Sequence, residues 1–396
     1  LNTRIHIVGA GIISAIGTSW EEVFASLKVG KSGIDYPQHM ETIHRNTFPL
    51  GEVKLSNADL VSLLDCKMMS RTTLLAWYAV KQAIRSAGDF SRKGLRVGLI
   101  SGTTVGGMDQ TERAFPSFLE SQQIEVARMQ EHPCGAHTRW IADTLGDVAY
   151  VNTINTACSS SLNAIALGSR LLRSDALDVV IAGGTDALTA FTLNGFNSLM
   201  IVDQSLTKPF DANRKGLNLG EGAGYVVMVS EKLMESLSLS SLGVVAGYAN
   251  TNDAFHQTAS SPDGRGSREA MIQALSSAGL SIDDIDYINL HGTGTSNNDL
   301  SEGIAVQHVF GNQVPSCSST KAYTGHTLGA SGAIEIIISL MALQQQCVFP
   351  NLRWTTPIPE LSFIPQLNFQ QKEIRHVMSN AFGFGGNCST LILSKS

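Results

Sequence analysis

Two helix-length segments of this 396-residue chain carry almost no formal charge. One starts near Cys158 and runs through Leu162, Ile165, Leu167 and Leu171. The other starts near His326 and runs through Ile334, Ile336, Ile337, Leu340 and Leu343, with Glu335 its single charge before Cys347. A helix that is apolar on every side has to be covered on every side, so neither belongs on a surface. Two of them, roughly 170 residues apart, predict a central helical layer held between two sheets. The same spacing predicts an internal duplication, with halves 1–240 and 241–396 meeting near residues 235–245. The serine-rich Ser236–Ser241 falls at that junction.

Around these helices, short apolar runs alternate with helix-like segments, the pattern of an α/β protein. Strands are expected at Ile5–Val8, Arg96–Ile100, Val179–Ala182, Tyr225–Val229, Tyr287–Leu290 and Leu391–Leu393. Most end in or near glycine-rich turns, among them Gly183-Gly184, Gly292…Gly294 and Gly383…Gly385-Gly386. Such turns beyond the carboxyl ends of strands let backbone approach a ligand. Pro350–Pro365 reads as an irregular loop.

A composition of 43% hydrophobic and 16% charged residues fits a large interior. The net charge of −6, with no basic run, argues against nucleic acid or an anionic membrane as the main partner. The charge-free stretches Val148–Ser169 and Ile336–Leu352 are punctuated by polar residues and read as buried core helices rather than bilayer spans. Residues Leu1 to His6 lack the charged start and long apolar middle of a signal peptide. Six cysteines without a CxxC pair predict free thiols in a reducing cytoplasm.

Three segments offer chemistry. In Thr156-Ala157-Cys158-Ser159-Ser160-Ser161, small polar residues lead into the first uncharged helix. A cysteine at a helix N-terminus gains a lowered pKa from the unpaired N–H groups and the dipole, which makes it a nucleophile. The competing reading is a buried structural cysteine, the common fate of a free one. In Asn289-Leu290-His291-Gly292-Thr293-Gly294-Thr295, a histidine ends a buried strand and points into a turn of glycines and hydroxyls. In Lys321-Ala322-Tyr323-Thr324-Gly325-His326, a second histidine stands at the mouth of the second uncharged helix. A near-buried Lys321 calls for a carboxylate, expected from Glu302 and less so from Asp299.

Two histidines and a cysteine also invite a metal, but the spacing fits no compact zinc motif and no HExxH occurs, so no metal site is expected. Neither a G-x-S-x-G elbow nor a phosphate-binding G-x-x-x-x-G-K-[ST] loop is present. The Phe382-Gly383-Phe384-Gly385-Gly386 loop contains backbone N–H groups suited to an oxyanion hole.

Together these segments resemble the β-ketoacyl-acyl-carrier-protein synthases, in particular the elongating Cys-His-His type. The likeness opens at Val8-Gly9-Ala10-Gly11 and continues through Pro209-Phe210-Asp211 and Gly220-Glu221-Gly222-Ala223-Gly224. It closes at Asn380-Ala381-Phe382-Gly383-Phe384-Gly385-Gly386. The resemblance implies a thiolase-like, five-layered αβαβα sandwich built from two duplicated halves, usually a homodimer. It implies an acyltransferase that performs a decarboxylating Claisen condensation with malonyl-acyl carrier protein, in fatty-acid or polyene/polyketide-type synthesis. Substrates ride on the phosphopantetheine of an acyl carrier protein, and no cofactor is needed.

By the same resemblance, Cys158 accepts the acyl group and His291 and His326 act on the extender. Lys321 with Glu302 holds His326. Thr293 and Thr295 line the pantetheine channel, and Thr258 lies in a channel-side segment. Phe382 belongs to the substrate wall, and Phe384 gates the acyl pocket while its N–H joins that of Cys158 in the oxyanion hole. The chain departs from the pattern at His132–Arg139, which is unusually polar, and at Asn387-Cys388-Ser389, where a Thr-Asn pair is usual. The alternative is a non-catalytic chain-length partner in a heterodimer with a related subunit. Such partners usually lack the nucleophile, which this chain keeps.

Overall fold

Apolar and β-branched runs bounded by glycine and polar turns form the strands. The computed structural model describes residues 3–88, 94–123 and 126–396; Leu1 and Asn2, the first residues of the expected N-terminal half, lie outside them. Five strands precede Glu231: β1 (Ile5–Ser14), β2 (Val97–Gly102), β3 (Val148–Ile154), β4 (Val179–Asp186) and β5 (Gly222–Ser230). Seven follow Leu242: β6 (Gly243–Asn252), β7 (Tyr287–Asn289), β8 (Ser316–Ser318), β9 (Cys347–Val348), β10 (Gln370–Gln371), β11 (His376–Gly383) and β12 (Asn387–Ser394). The β9–β10 pair is a separate ribbon.

Among the described residues the other ten strands run in the order β3-β2-β4-β5-β1-β6-β12-β11-β7-β8. Outward from the middle, each half repeats the other. In the first, β5 pairs antiparallel with β1 and β4, while β2 runs parallel to β4 and β3. In the second, β12 pairs antiparallel with β6 and β11, while β7 runs parallel to β11 and β8. The two five-stranded units touch through His6↔Val244 and Ile7↔Gly243, so the expected pair of sheets is hydrogen-bonded into one continuous sheet.

Five layers follow from how helices cover this sheet. Helix Arg71–Ser86 packs on the outer face of the first unit, and helix Arg265–Ala278 on that of the second. Between the units lie helices Ser160–Arg173 and Ser331–Gln345, which touch each other and strands of both. The segment Leu328–Gln345 is apolar and long enough to cross a bilayer, but 89% of it is buried inside the protein. The two central helices approach closely: a Cβ on Gly332 would lie 2.8 Å from that of Leu162, and the Ala333 N–H donates to Ser161 Oγ at 2.9 Å.

Val148–Ser169, expected to be a core helix, is instead strand β3, a tight turn and the start of a helix. Missing charge does not by itself mark a helix, and Val148-Ala149-Tyr150-Val151 fits a strand as well; β3 is the edge strand of the sheet and is only half-buried. Likewise Ile336–Leu352 leaves the helix at Gln345 and passes through β9. Pro350–Pro365 is irregular, as expected.

Candidate active site

The turn from β3 into helix Ser160–Arg173 aims Cys158 inward. Ala157 adopts φ 53°, the left-handed region that non-glycine residues avoid, and this sharp bend turns the thiol toward the second half. Serines stitch the turn: Ser159 Oγ donates to Thr156 O at 2.7 Å, Ser160 Oγ donates to Ala157 O at 2.5 Å, and the Thr156 N–H donates to Ser160 Oγ at 2.9 Å. Across the cleft, Gly383 carries no side chain because a Cβ there would stand 3.0 Å from the Cys158 nitrogen. That close approach brings the N–H of Phe384, beside Cys158's own N–H, to bear on the sulfur.

The thiol is 6% exposed, and burial pushes its pKa up to about 11. Burial outweighs the Lys321 charge and the two backbone N–H groups, all of which pull the other way. This corrects the expectation of a thiolate ready-made by the helix N-terminus: at neutral pH the resting form is the thiol. Below its pKa the thiolate fraction rises tenfold per pH unit. Alkylation of Cys158 by iodoacetamide is therefore expected to accelerate about tenfold per unit from pH 7 to 10, without a plateau near pH 8–9. Peptide mass spectrometry of timed samples checks this.

His291 follows the end of β7. Its turn is fastened by Glu302, whose Oε1 and Oε2 accept the N–H groups of His291 and Gly292, each at 2.8 Å. Asn380 Nδ2 adds a third bond to Glu302 at 3.2 Å, and burial still pushes this carboxyl up to about 7. Asp299 holds the next part of the loop, accepting the N–H of Gly294 at 3.1 Å and of Phe210 at 2.7 Å.

Lys321 therefore pairs with neither expected acid. Its Nζ lies 2.5 Å from Glu335 Oε1 and 3.2 Å from His291 Nδ1. Glu302 is already occupied by backbone, and the ammonium braces His291 rather than His326. The missed partner had a signal in the sequence. A single carboxylate inside a helix buried on all sides needs a buried cation.

His326 is held differently. The Leu328 N–H donates to its Nδ1 at 3.2 Å, Ser331 Oγ lies 3.0 Å from the same atom, and Nε2 faces Cys158 Sγ at 3.1 Å. Burial and the nearby Lys321 charge hold both imidazoles well below their ordinary pKa, so both are neutral at pH 7. With a donor at each Nδ1, the ring proton of each sits on Nε2. The rings stand 5.4 Å apart at 86°, and Phe382 packs edge-on against His291 at 5.9 Å.

Cys158, His291 and His326 place one sulfur and two nitrogens within 4.8 Å of one another, close enough for a metal. Both imidazoles, however, present N–H there, whereas a ligand must present a lone pair. The set is built to donate hydrogen bonds.

One cavity of about 320 Å³ reaches this centre, lined by Cys158, Thr258, His291, Thr293, Thr295, His326, Phe382 and Phe384. Thr293 and Thr295 bond each other at 2.8 Å, and Phe384 stacks on Phe196 at 5.7 Å. Lys321 and Glu302 stand behind the wall. A residue that sequence reasoning missed also fixes the surroundings: buried Asp186 accepts the N–H of Gly329 at 2.7 Å and the hydroxyl of Thr103 at 2.6 Å.

Residues 2–235 match the family described as beta-ketoacyl synthase, N-terminal domain, and residues 242–355 match beta-ketoacyl synthase, C-terminal domain. The chain is 31% identical over 410 residues to the 3-oxoacyl-[acyl-carrier-protein] synthase 2 of Staphylococcus aureus (strain COL), covering 100% of this chain and 99% of that one. It is 33% identical over 400 residues to nodulation protein E of Rhizobium meliloti (strain 1021), covering 99% of each. Among solved structures, the ishigamide ketosynthase/chain length factor superposes with a TM-score of 0.92 at 28% identity, over the whole of both chains.

Proposed function

From the premise that the chain belongs to the beta-ketoacyl synthase family, we propose that it joins a Cys158-bound acyl group to the malonyl unit of malonyl-acyl carrier protein. The observation that carries this reading is the pair of buried imidazoles, each facing a donor at Nδ1 and each with a ring nitrogen within 4.8 Å of one buried thiol.

In the first half, Cys158 Sγ attacks an acyl thioester, and the carbonyl oxygen takes up negative charge. The N–H groups of Cys158 and Phe384 hold that oxygen, and the departing thiol leaves with the proton. In the second half, a malonyl thioester loses CO₂ and its electron pair becomes an enolate. The Nε2–H groups of His291 and His326 hold the enolate oxygen, and no strong base is needed. The enolate carbon attacks the acyl carbonyl, the C–S bond to Cys158 breaks, and a 3-oxoacyl thioester departs, leaving a Cys158 thiolate that takes one proton from water to restore the thiol.

Lys321 and Glu335 fix the His291 ring, and Glu302 fixes its backbone. Thr258, Thr293 and Thr295 give the cavity the polar wall suited to the amides of a pantetheine arm, and Phe382 and Phe384 the apolar one. The chemistry draws on these side chains and the carrier's phosphopantetheine. The six free cysteines suit a reducing cytoplasm.

A second reading comes from the ketosynthase/chain length factor likeness: a heterodimer, with this chain as the acylated member because it keeps Cys158 and both histidines, or a homodimer. The test is intact-mass spectrometry after mixing with acyl carrier proteins of different chain lengths, followed by malonyl-carrier protein. Acyl mass on the Cys158 peptide, then CO₂ and a 3-oxoacyl product, is the expected result. Folded protein that takes no acyl group from any donor would move the chain to the non-catalytic partner role.

A further inference from the structure

We propose that Asn387 is a positioning residue that sets the spacing of the two backbone N–H groups flanking Cys158; this rests on the oxyanion role given to them above. One of these N–H groups belongs to the nucleophile turn, the other to the Phe384–Gly386 loop. That loop is pliant by composition, since Gly385 and Gly386 take φ 80° and 79°. Its backbone is moored to one side. The Gly385 N–H donates to Gln257 O at 2.8 Å, Asn252 Nδ2 donates to Gly385 O at 3.0 Å, and the Asp253 N–H donates to Gly386 O at 2.8 Å. All three moorings lead to residues 252–257, and apart from the Phe384 N–H that faces the sulfur none of these contacts reaches the nucleophile turn.

Asn387, the residue after the loop, makes the connection. Its Oδ1 accepts from Asn250 Nδ2 at 2.7 Å and stands 3.4 Å from both Ser159 Oγ and Asn163 Nδ2. Ser159 directly follows Cys158 and donates to Thr156 O, and Asn163 donates to Thr156 Oγ1 at 2.9 Å. Asn250 and Ser389 close the circuit, donating to Asn163 Oδ1 at 3.1 and 2.8 Å. Ser159 already gives its one hydroxyl proton to Thr156 O, so the carboxamide ties the start of β12 to the nucleophile turn through Asn163, whose two amide protons face Asn387 Oδ1 and Thr156 Oγ1.

Successive strand residues face opposite sides. Cys388 therefore packs with Ala270 and Phe382 on one face, while Asn387 meets the nucleophile helix on the other.

The test compares wild type, Asn387→Ala, Asn250→Ala and the double variant in single-turnover acylation by a hexanoyl thioester of an acyl carrier protein. Iodoacetamide alkylation of Cys158 runs in parallel, because it needs the sulfur but forms no oxyanion. Each single variant is expected to slow acylation about 10- to 100-fold, since small misplacements of such donors are costly. Alkylation should stay within about threefold, and the double variant should fall little below the worse single one, because both remove the same bridge. Acylation by Asn387→Ala within about twofold of wild type, or losses that multiply in the double variant, would overturn the proposal. So would an equal fall in alkylation, which marks a collapsed turn. Should Asn387→Ala not fold, Asn250→Ala carries the same comparison. Where wild type takes no hexanoyl group, the longest acyl donor that it does take is used for the same comparison; a folded wild-type protein that takes no acyl group from any donor overturns the acyl-enzyme reading itself, a result distinct from all of these.

Discussion

Replacing Cys158 by alanine is expected to abolish the acyl adduct and to lower condensation by at least about 10⁴-fold, the scale on which enzymes fail when a nucleophile is removed. The substitution removes the sulfur and little else. The turn is held by Ser159 and Ser160, and His326 Nδ1 is held by Leu328 and Ser331, none of which needs the thiol. Both Nε2–H donors therefore stay in place, and the variant should still release CO₂ from malonyl-carrier protein. Measuring CO₂ and 3-oxoacyl product separately gives the decisive comparison. CO₂ without product supports a division of labour between sulfur and imidazoles. Undiminished product would remove Cys158 from the mechanism.

Replacing Lys321 by alanine is expected to affect rate and stability through different contacts. The ammonium donates to His291 Nδ1, and without it the ring proton is no longer directed to Nε2. Condensation should fall about 10²-fold, while acylation of Cys158 falls much less, because His291 enters only in the second half. Stability should drop by about 3–5 kcal/mol, because Glu335 loses its partner in a buried site. Burial already holds the Glu335 carboxyl up at about 7, and losing Lys321 raises it further. A carboxyl raised on folding stabilises the protein below its unfolded pKa and withdraws that stability as pH climbs through the folded value. The gap between variant and wild type should therefore widen above about pH 7 in thermal melts. Removing both charges, as Lys321→Met with Glu335→Leu, should restore much of the stability but not the rate. Recovery of both would show that Lys321 acts only as a structural cation.

Much of this architecture was legible because burial leaves a chemical trace. The nearly charge-free helices after Cys158 and His326 announced the central layer, since a helix apolar on almost every side has no stable surface position. The glycine turns after β7 and β11 marked where backbone comes close to the site, whereas Gly183 and Gly184, expected as a turn, lie inside β4, and the strained Ala157 turn needed its run of small residues. Where the signal was charge alone, it failed to separate strand from helix: β3 was hidden inside an apolar stretch. Short or glycine-bearing strands such as β6 and β8 carried too little alternation to stand out.

By itself, then, the sequence determined the α/β class and the buried helical layer, because residue type and local period decide what must be buried; Cys158, His291 and His326 stood out as candidates, and the resemblance joined them into one set. Tertiary structure alone decided who partners whom. Glu302, nineteen positions before Lys321, spends its oxygens on the backbone of His291 and Gly292, while Glu335, fourteen positions after it, reaches the ammonium. Likewise, the thiol's protonation state, the tautomers of the two imidazoles and the Asn387 bridge between distant strands depend on burial and on donors from other segments. Those quantities arise only when the two halves close on each other, because a pKa or a hydrogen bond is a property of a surrounding, and a linear order of residues does not contain one.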